Sequence, residues 1–444
     1  MTLANHPSVK AFRARTAEVS SAPPENLDAE QLRRICLDAG ADDVGFIAID
    51  QADIADEARH MRVVMPDAVS AISIIVRMNR EPLRSVHRSM ANLEFHATND
   101  AVNHATRNIV RALEEMGVRA VNASVGFPME MRNFPGRTWS VQHKTIAVAA
   151  GMGQIGIHRN VIHPKFGNFI LLGTVILNRP ISETAKPIDY NPCLECKLCV
   201  AACPVGAISP AGEFNFGACY THNYRDFMGG FNQWIDTIAD AKSASEYGER
   251  YTDAETAGMW QSLSYGPNYN AAYCLAVCPA GDDIIGTYLD DRKGYKHAVV
   301  DPLVDFPETI YVTKGSDAEA WVKKRFPNKR AKRIPPSLKV ASIQGFINGL
   351  PLTFNRTRAK GFRGCFHFTF TGREAAELTI VIDDGALNVT QGLQGKPDVA
   401  VTIDGQHWVK LMRREKSLMA ALLTRRLKTR GNIKLFRKFG SLFG

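Results

Sequence analysis

The chain is 444 residues long, 45% hydrophobic and 22% charged, with a formal net charge of +9. That length predicts roughly two to four domains, and the composition is ordinary for a soluble protein with real cores. No apolar run approaches the ~20 residues needed to span a bilayer, and nine cysteines are too sparse for a disulfide scaffold.

Residues 1–25 read as a loose N-terminal arm. Lys10, Arg13, Arg15 and Glu18 are mixed with small residues, without the apolar core of a secretory signal and without an Arg-Arg pair. A cytoplasmic location is therefore expected. Residues 26–178 alternate helical and strand patterns, which predicts an α/β layer architecture. Ala29–Ala39 has helical periodicity and ends at Gly40, before the apolar stretch Val44–Ile49. Val69–Val76 reads as a buried strand, Asn92–Met116 as a long amphipathic helix stopped at Gly117, and Val118–Ala123 and Phe169–Leu177 as further strands.

Residues 179–285 hold seven of the nine cysteines among turn-rich stretches, as expected where a metal cluster substitutes for a hydrophobic core. Only Cys36 and Cys365 lie outside, in apolar surroundings that suit inert core thiols. Residues 286–337 read as an extension ending in a basic linker, where the run from Lys329 meets Pro335-Pro336. In residues 338–444 strands are expected at Cys365–Phe370, Glu377–Ile382 and Val399–Ile403, with Asp384-Gly385 as a hairpin signal and a helix from Gln406. This last block predicts a separate, compact α+β domain.

Positive charge crowds two segments. One holds Lys323, Lys324, Arg325, Lys329, Arg330, Lys332 and Arg333. The other runs from Lys410 to Lys438 and includes Arg413, Arg414, Arg425, Arg426, Lys428 and Arg430. An anionic membrane or nucleic acid could use such patches. No zinc finger, helix-turn-helix or aromatic RNA-binding signature accompanies them, so they read as solvated faces plus a linker and nucleic acid is not expected.

The sharpest signal is Cys193-x2-Cys196-x2-Cys199-x3-Cys203-Pro204, the bacterial ferredoxin spacing. Three closely spaced thiolates serve three corners of one cubane, and the Cys before Pro points to a different cluster. A zinc site would normally show two separated Cys-x2-Cys pairs. Cys274-x3-Cys278-Pro279 repeats the end of the motif. We therefore assign Cys193, Cys196, Cys199 and Cys278 to one [4Fe–4S] cluster. Cys203 and Cys274 go to a second, with Cys219 as its third ligand. A complete second motif would carry cysteine at position 271, where this chain has Ala271. The second site then has three thiolates, which leaves three readings open: a [3Fe–4S] cluster, a cubane with a non-cysteine or open fourth iron, or a lost site. His222 is an imidazole near Cys219 in sequence.

A ferredoxin module preceded by an α/β domain, with a spaced cysteine between its motifs, resembles the epoxyqueuosine reductase and reductive dehalogenase superfamily over about Asp28–Gly281. The likeness is strongest in Ala149-Ala150-Gly151-Met152-Gly153-Gln154-Ile155-Gly156 and His163-Pro164-Lys165-Phe166-Gly167-Asn168-Phe169. The resemblance implies electrons passing from two clusters to a base-off cobalamin over the α/β domain, whose reduced cobalt removes halide or epoxide oxygen. It implies Gly151, Gly153, Gly156, His158, His163 and Gly167 as residues near that cofactor. The family's queuosine enzymes carry an acid before a Ser-Ala-Pro turn, but this chain has Ser124-Val125-Gly126-Phe127-Pro128. Glu130 is the nearest replacement, within what looks like an insertion from Met129 to Val141.

The last block resembles the sterol-carrier-protein-2 family in Pro397–Gly405, Trp408, Leu411, Ser417–Leu423 and Lys428–Asn432. That resemblance implies a sheet and helices enclosing a site for a lipid-like molecule. Together these readings describe an iron–sulfur-dependent reductase acting through cobalamin on an unidentified substrate, apolar if the last block binds it, and fed by a ferredoxin- or flavodoxin-type donor. The alternatives are a cobalamin-free ferredoxin-type electron-transfer protein with a lipid-binding domain, and a lipid-binding or redox-sensing protein.

Overall fold

The computed structural model describes residues 2–16, 23–126, 139–227, 229–335, 340–356, 358–413 and 415–443. Phe127, Pro128, Glu130, most of the stretch read as an insertion, Pro336 and Arg414 lie outside them. No helix among the described residues is long and apolar enough to cross a membrane.

A helix at Pro7–Thr16 precedes the layered part of the fold, whose first helix, α1 (Ala29–Asp38), starts where the Asp28 carboxylate accepts from the Gln31 N–H and buries Ala29, Leu32 and Cys36. Capping of this kind satisfies one of the orphan donors at a helix start. β1 (Asp43–Ala48), β2 (Ser70–Arg77), β3 (Ala120–Asn122) and β6 (Ile170–Leu177) form one sheet in the order β1-β2-β6-β3, antiparallel at every pairing. Two short strands, β4 (Gln154–Ile155) and β5 (Val161–Ile162), pair separately. Seven of the eight residues of β2 are buried. Such continuous apolar runs need cover on both faces, and helices supply it. On one side α1 and the long α2 (Arg88–Glu115) pack Cys36, Val102, Ala105, Ile109 and Leu113 on Ile72, Ile74 and Val175. On the other, α3 (His143–Ala149) packs Ile146 and Ala147 on Ala71, Ile75 and Ile176. The expected helix-and-strand layering is present, with an antiparallel rather than parallel sheet.

The cysteine region follows, with the short helices α4 (Leu198–Ala202), α5 (Phe216–His222) and α6 (Tyr273–Ala276). Its apolar residues share one hydrophobic core with the sheet layer. Leu198, Val200, Tyr273, Leu275 and Val277 pack with Met78, Leu83 and Phe169 of the sheet layer. The two units meet backbone to backbone at Gly167, at φ 65°, where a Cβ would stand 2.0 Å from the Ala280 carbonyl oxygen. The Asp282 N–H donates to the Pro164 carbonyl at 2.9 Å, and Arg80 pairs with Asp283.

The basic stretch read as a linker is structured. β7 (Thr309–Thr313), α7 (Asp317–Arg325) and β8 (Arg330–Ile334) form a parallel β-α-β unit. Its Ile310, Val312, Ala318 and Val322 pack on Cys203, Val205 and Ala207. Lys329 is buried and spends all three ammonium donors, on the Leu303 and Phe306 carbonyls and on Glu308. Lys332 pairs with Glu255, and Arg333 with Glu319. These acids lie 14 to 77 residues away, so local composition could not reveal the pairing.

The last block carries a five-stranded sheet of β9 (Arg363–Thr371), β10 (Ala376–Asp383), β11 (Ala386–Gln391), β12 (Val399–Asp404) and β13 (Leu427–Gly431), in the order β11-β10-β9-β12-β13. Only the β9–β12 pairing is parallel. Asp384 and Gly385 both have positive φ, 43° and 86°, as a two-residue primed hairpin turn requires. The apolar residues alternate onto one sheet face: Phe366, Phe368 and Phe370 on β9, Leu378, Ile380 and Ile382 on β10, Val399, Val401 and Ile403 on β12. Phe346 and Trp408 stack edge-on against them at centroid distances of 5.4–6.3 Å.

Candidate metal centre

Two loops repeat the same backbone turn. Lys197 (φ 55°, ψ 17°) caps α4 two residues before Cys199, and Ala272 (φ 55°, ψ 23°) caps α6 two residues before Cys274. A non-glycine residue held left-handed costs about 1 kcal/mol or more, so a turn kept twice has a purpose. In this register Cys196 corresponds to Ala271, Cys199 to Cys274, and Cys203-Pro204 to Cys278-Pro279. The second loop thus repeats the first loop's turn before its third cysteine and lacks two of its sulfurs, with Asn268 and Ala271 in place of Cys193 and Cys196; Cys219 stands in for one of them.

The two turns place the thiols in two groups. Cys193, Cys196, Cys199 and Cys278 surround one cavity, otherwise walled mainly by apolar side chains including Ile157, Ile162, Leu194 and Pro279. The Ile157 N–H points at the Cys193 sulfur at 3.4 Å. Cys219 and Cys274 stand within electrostatic range of each other and of Cys203, whose sulfur accepts from the Ala207 N–H at 3.2 Å. Cys199 is also in range of Cys274, so the groups adjoin. Among the described residues no three His, Cys, Asp or Glu side chains close on a single metal ion; the first group stands around a cavity rather than meeting at a point.

The first set fits an iron–sulfur cubane by its donors: four sulfurs and mostly apolar walls, with Glu195 the one carboxylate in the lining. Burial pushes up the thiols of Cys196, Cys199, Cys203 and Cys219, and pushes Cys274 and Cys278 up to about 12. Neighbouring thiols add to the rise at Cys199 and Cys219. Thiolate ligands in such sites need the positive charge that iron supplies.

One residue the sequence reading missed stands beside the second set. Lys144, on α3, donates its ammonium to the Arg159 carbonyl at 2.7 Å and to Asn160 Oδ1 at 2.9 Å. Its side chain reaches water, yet the surrounding protein desolvates it and lowers its pKa, against the opposing pull of Cys274 and Cys219. Tyr224 is likewise in range of Cys219 and Cys274, and its ring meets Tyr269 at 5.7 Å. Lys144 and Tyr224 therefore both lie close to Cys219 and Cys274, where the sheet layer meets the cysteine region. No motif flags Lys144. A lone lysine on a short helix gives no signal until the fold closes around it.

His222 is buried, and its pKa is lowered to about 3 by burial and then by Lys329 and Arg225. Its Nδ1 accepts from the Tyr311 N–H at 3.4 Å, which leaves the proton on Nε2. Ligation through Nε2 needs the other tautomer; Nε2 itself is buried with no hydrogen-bond partner among the described residues. Cys36 is buried in the core and Cys365 is half-buried.

Protein packs closely around the six residues that the resemblance implies as cofactor-near. A Cβ at Gly151 would stand 3.0 Å from the Lys186 carbonyl, and one at Gly153 2.3 Å from that of Ile162. Gly156 faces Ile162 and His158, and Gly167 faces Ala280. His163 is tied through Nε2 to Asp43 at 2.9 Å, while its Nδ1 accepts from the Lys165 and Phe166 N–H groups. His158 lines the first cysteine cavity. These residues form the joint between sheet layer and cysteine region, and the glycines serve close packing of chain on chain.

Comparison with known proteins reproduces both resemblances. Residues 186–209 match the 4Fe-4S binding domain, and residues 351–444 the SCP-2 sterol transfer family. The epoxyqueuosine reductase of Leadbetterella byssophila is 37% identical over 103 residues, 21% of this chain and 33% of that protein. That of Lactococcus garvieae is 23% identical over 274 residues, 60% of this chain and 68% of that protein. Among solved structures, the catabolic reductive dehalogenase NpRdhA is similar with a TM-score of 0.39 and 14% identity, over 68% of this chain and 37% of that one. The chain spans 28% and 33% of the first two curated relatives it matches. It is thus similar to epoxyqueuosine reductases in its first part, and it carries a ferredoxin-type 4Fe-4S segment and a C-terminal SCP-2 domain.

Proposed function

We propose that this chain is an iron–sulfur reductase. Its first cluster is held by Cys193, Cys196, Cys199 and Cys278. A second site, held by Cys203, Cys219 and Cys274, opens to a substrate recess beside Lys144. The observation that carries the reading is the meeting of Cys278 with the Cys193–Cys199 run around one cavity, across 79 to 85 residues of chain. Iron–sulfur clusters bound there supply one-electron reduction.

The chain's own residues do the rest. Pro192, Leu194, Ile157 and Ile162 keep water from the first cavity. Lys144 holds a positive charge beside the second set. Two of its three N–H groups are bound, and the third is the proton the recess can give to a substrate gaining electrons. A lysine poised in this way favours a reductase over a pure electron relay, which needs no proton donor.

Cobalamin and an epoxide or halide substrate are the finer reading, suggested by the epoxyqueuosine reductases. Of the six residues the resemblance puts near cobalamin, four are glycines packed closely on other stretches of chain, and no step here depends on that cofactor. A corrinoid would have to lie against the recess residues. The C-terminal domain is proposed to bind a lipid-like molecule, supported by its match to the SCP-2 family. The reductase is proposed to work in the cytoplasm.

The test is to reduce anaerobically reconstituted protein and mix it with cob(II)alamin. A base-off paramagnetic signal that is lost in Tyr224→Ala, with unchanged cluster absorption, supports a corrinoid in the recess. Clusters that reduce normally with no change in the cobalamin spectrum leave a cobalamin-free reductase. Protein that takes up no iron refutes the whole reading.

A further inference from the structure

On the outer face of the cysteine region a groove of about 490 Å³ is lined by Lys197, Val200, Ala201, Trp321, Lys324 and Arg325. Three of its six residues are cationic, and none of the three has an ion-pair partner among the described residues. Elsewhere in the extension Lys323 and Arg333 pair with Glu319, Lys329 with Glu308 and Lys332 with Glu255, while Arg330 has no ion-pair partner among the described residues. The groove thus sets three unpaired cations beside an apolar floor and an indole.

Its position gives it meaning. Lys197 lies between Cys196 and Cys199, and Val200 and Ala201 belong to α4, whose inner side bears Cys199 and whose end leads into Cys203. The Trp321 indole N–H donates to the carbonyl oxygen of Cys203 at 3.0 Å. The ring also covers Gly206, where a Cβ would stand 2.7 Å from the indole. Short bonded paths thus run from the groove to ligands of both proposed clusters. Glu195 lies on the other side of Cys196, and Glu319, on the helix of Trp321, is engaged by Lys323 and Arg333.

We propose that this groove is the docking surface for an acidic one-electron carrier protein, through which reducing equivalents enter. This rests on the iron–sulfur reading above. One electron leaves the reduced carrier, which is oxidised, and is taken up at the cysteine-bound site; no bond forms or breaks. The cations steer and orient an acidic partner. Val200, Ala201 and Trp321 provide the small apolar contact expected of a weak, transient redox encounter. A nucleic acid is the poorer match, because three cations and one indole neutralise few phosphates.

The experiment uses full-length, anaerobically reconstituted protein and reduced flavodoxin as the acidic carrier, with methyl viologen radical as a small cationic donor. Stopped-flow absorbance follows cluster reduction in the parent chain and in the double variant Lys324→Glu, Arg325→Glu, both exposed and outside the ligand loops. At low salt the flavodoxin rate should fall about tenfold or more in the variant and lose most of its salt dependence, as steering predicts. The methyl viologen rate and the cluster absorption should not change. An unchanged flavodoxin rate with intact clusters overturns the docking surface and leaves the reductase reading standing. So does a variant whose only loss is affinity for an RNA stem-loop. A parent chain without cluster absorption overturns both.

Discussion

Replacing Ala271 with cysteine tests whether the second loop is a cluster loop that has lost one ligand. The backbone is already set. Ala272 holds the same left-handed turn as Lys197, and the Ala271 N–H is anchored to Asn223 Oδ1 at 2.9 Å. Ala271 is 5% exposed, so without iron the added sulfur overpacks a buried site at a cost of about 1–3 kcal/mol. With iron the sign reverses. A four-ligand structural metal site is worth roughly 10–16 kcal/mol, so one more thiolate contributes a few kcal/mol, more than the overpacking costs. The variant should be less stable than the parent as apoprotein and more stable when reconstituted. Its iron content should rise by about one per chain as the second site becomes an ordinary cubane. The assays are iron and acid-labile sulfide per chain, paramagnetic resonance of the oxidised protein, and thermal melts of both forms. Unchanged iron with a lower melting temperature in both forms would refute the reasoning.

Cys196→Ser should remove the first cluster signal and leave that of the second, read by paramagnetic resonance. Lys144→Gln removes a positive charge beside the second site; at a screened interaction of about 1–2 kcal/mol its midpoint potential should fall by roughly 40–80 mV, with iron content unchanged. Lys329→Met strands Glu308 in the interior and should cost about 3–5 kcal/mol in denaturant melts. Glu319 is held down to about 2 by Lys323, the Gly315 N–H and Arg333. A carboxylate depressed from 4.5 contributes its full stabilisation above that value and loses it as the pH falls toward 2. Trp321 fluorescence, a reporter on the same helix, should therefore be flat above pH 5 and change between about pH 4.5 and 2. Residues 338–444, expressed alone, should fold and enhance the fluorescence of a bound apolar probe that an acyl or steroid competitor displaces.

Much of the fold was legible because it is written locally. The strands at Val44–Ile49, Val69–Val76 and Phe169–Leu177 are apolar runs, and the hairpin at Asp384-Gly385 needs positive φ at two adjacent residues, which that pair accepts. The cysteine spacing gave the grouping of Cys278 with Cys193, Cys196 and Cys199, because loops this short leave few ways to place three thiols. Non-local features were hidden. The basic run read as a linker is a strand whose cations find Glu255, Glu308 and Glu319 only after folding. Gly151, Gly153, Gly156 and Gly167 look alike whether they clear space for a ligand or for another stretch of chain, and here chain fills the space. Lys144 acquires its position from packing between two units, so no window of sequence around it carries the signal.

The central claim is that seven cysteines build one complete and one three-thiolate iron–sulfur site. Mössbauer spectroscopy of iron-57-reconstituted, anaerobic protein tests it most directly. The account predicts a four-iron cubane together with a second, distinct iron–sulfur component that disappears in Cys219→Ser while the first persists. A single cubane unaffected by Cys219→Ser, or protein that takes up zinc and no iron, would contradict it.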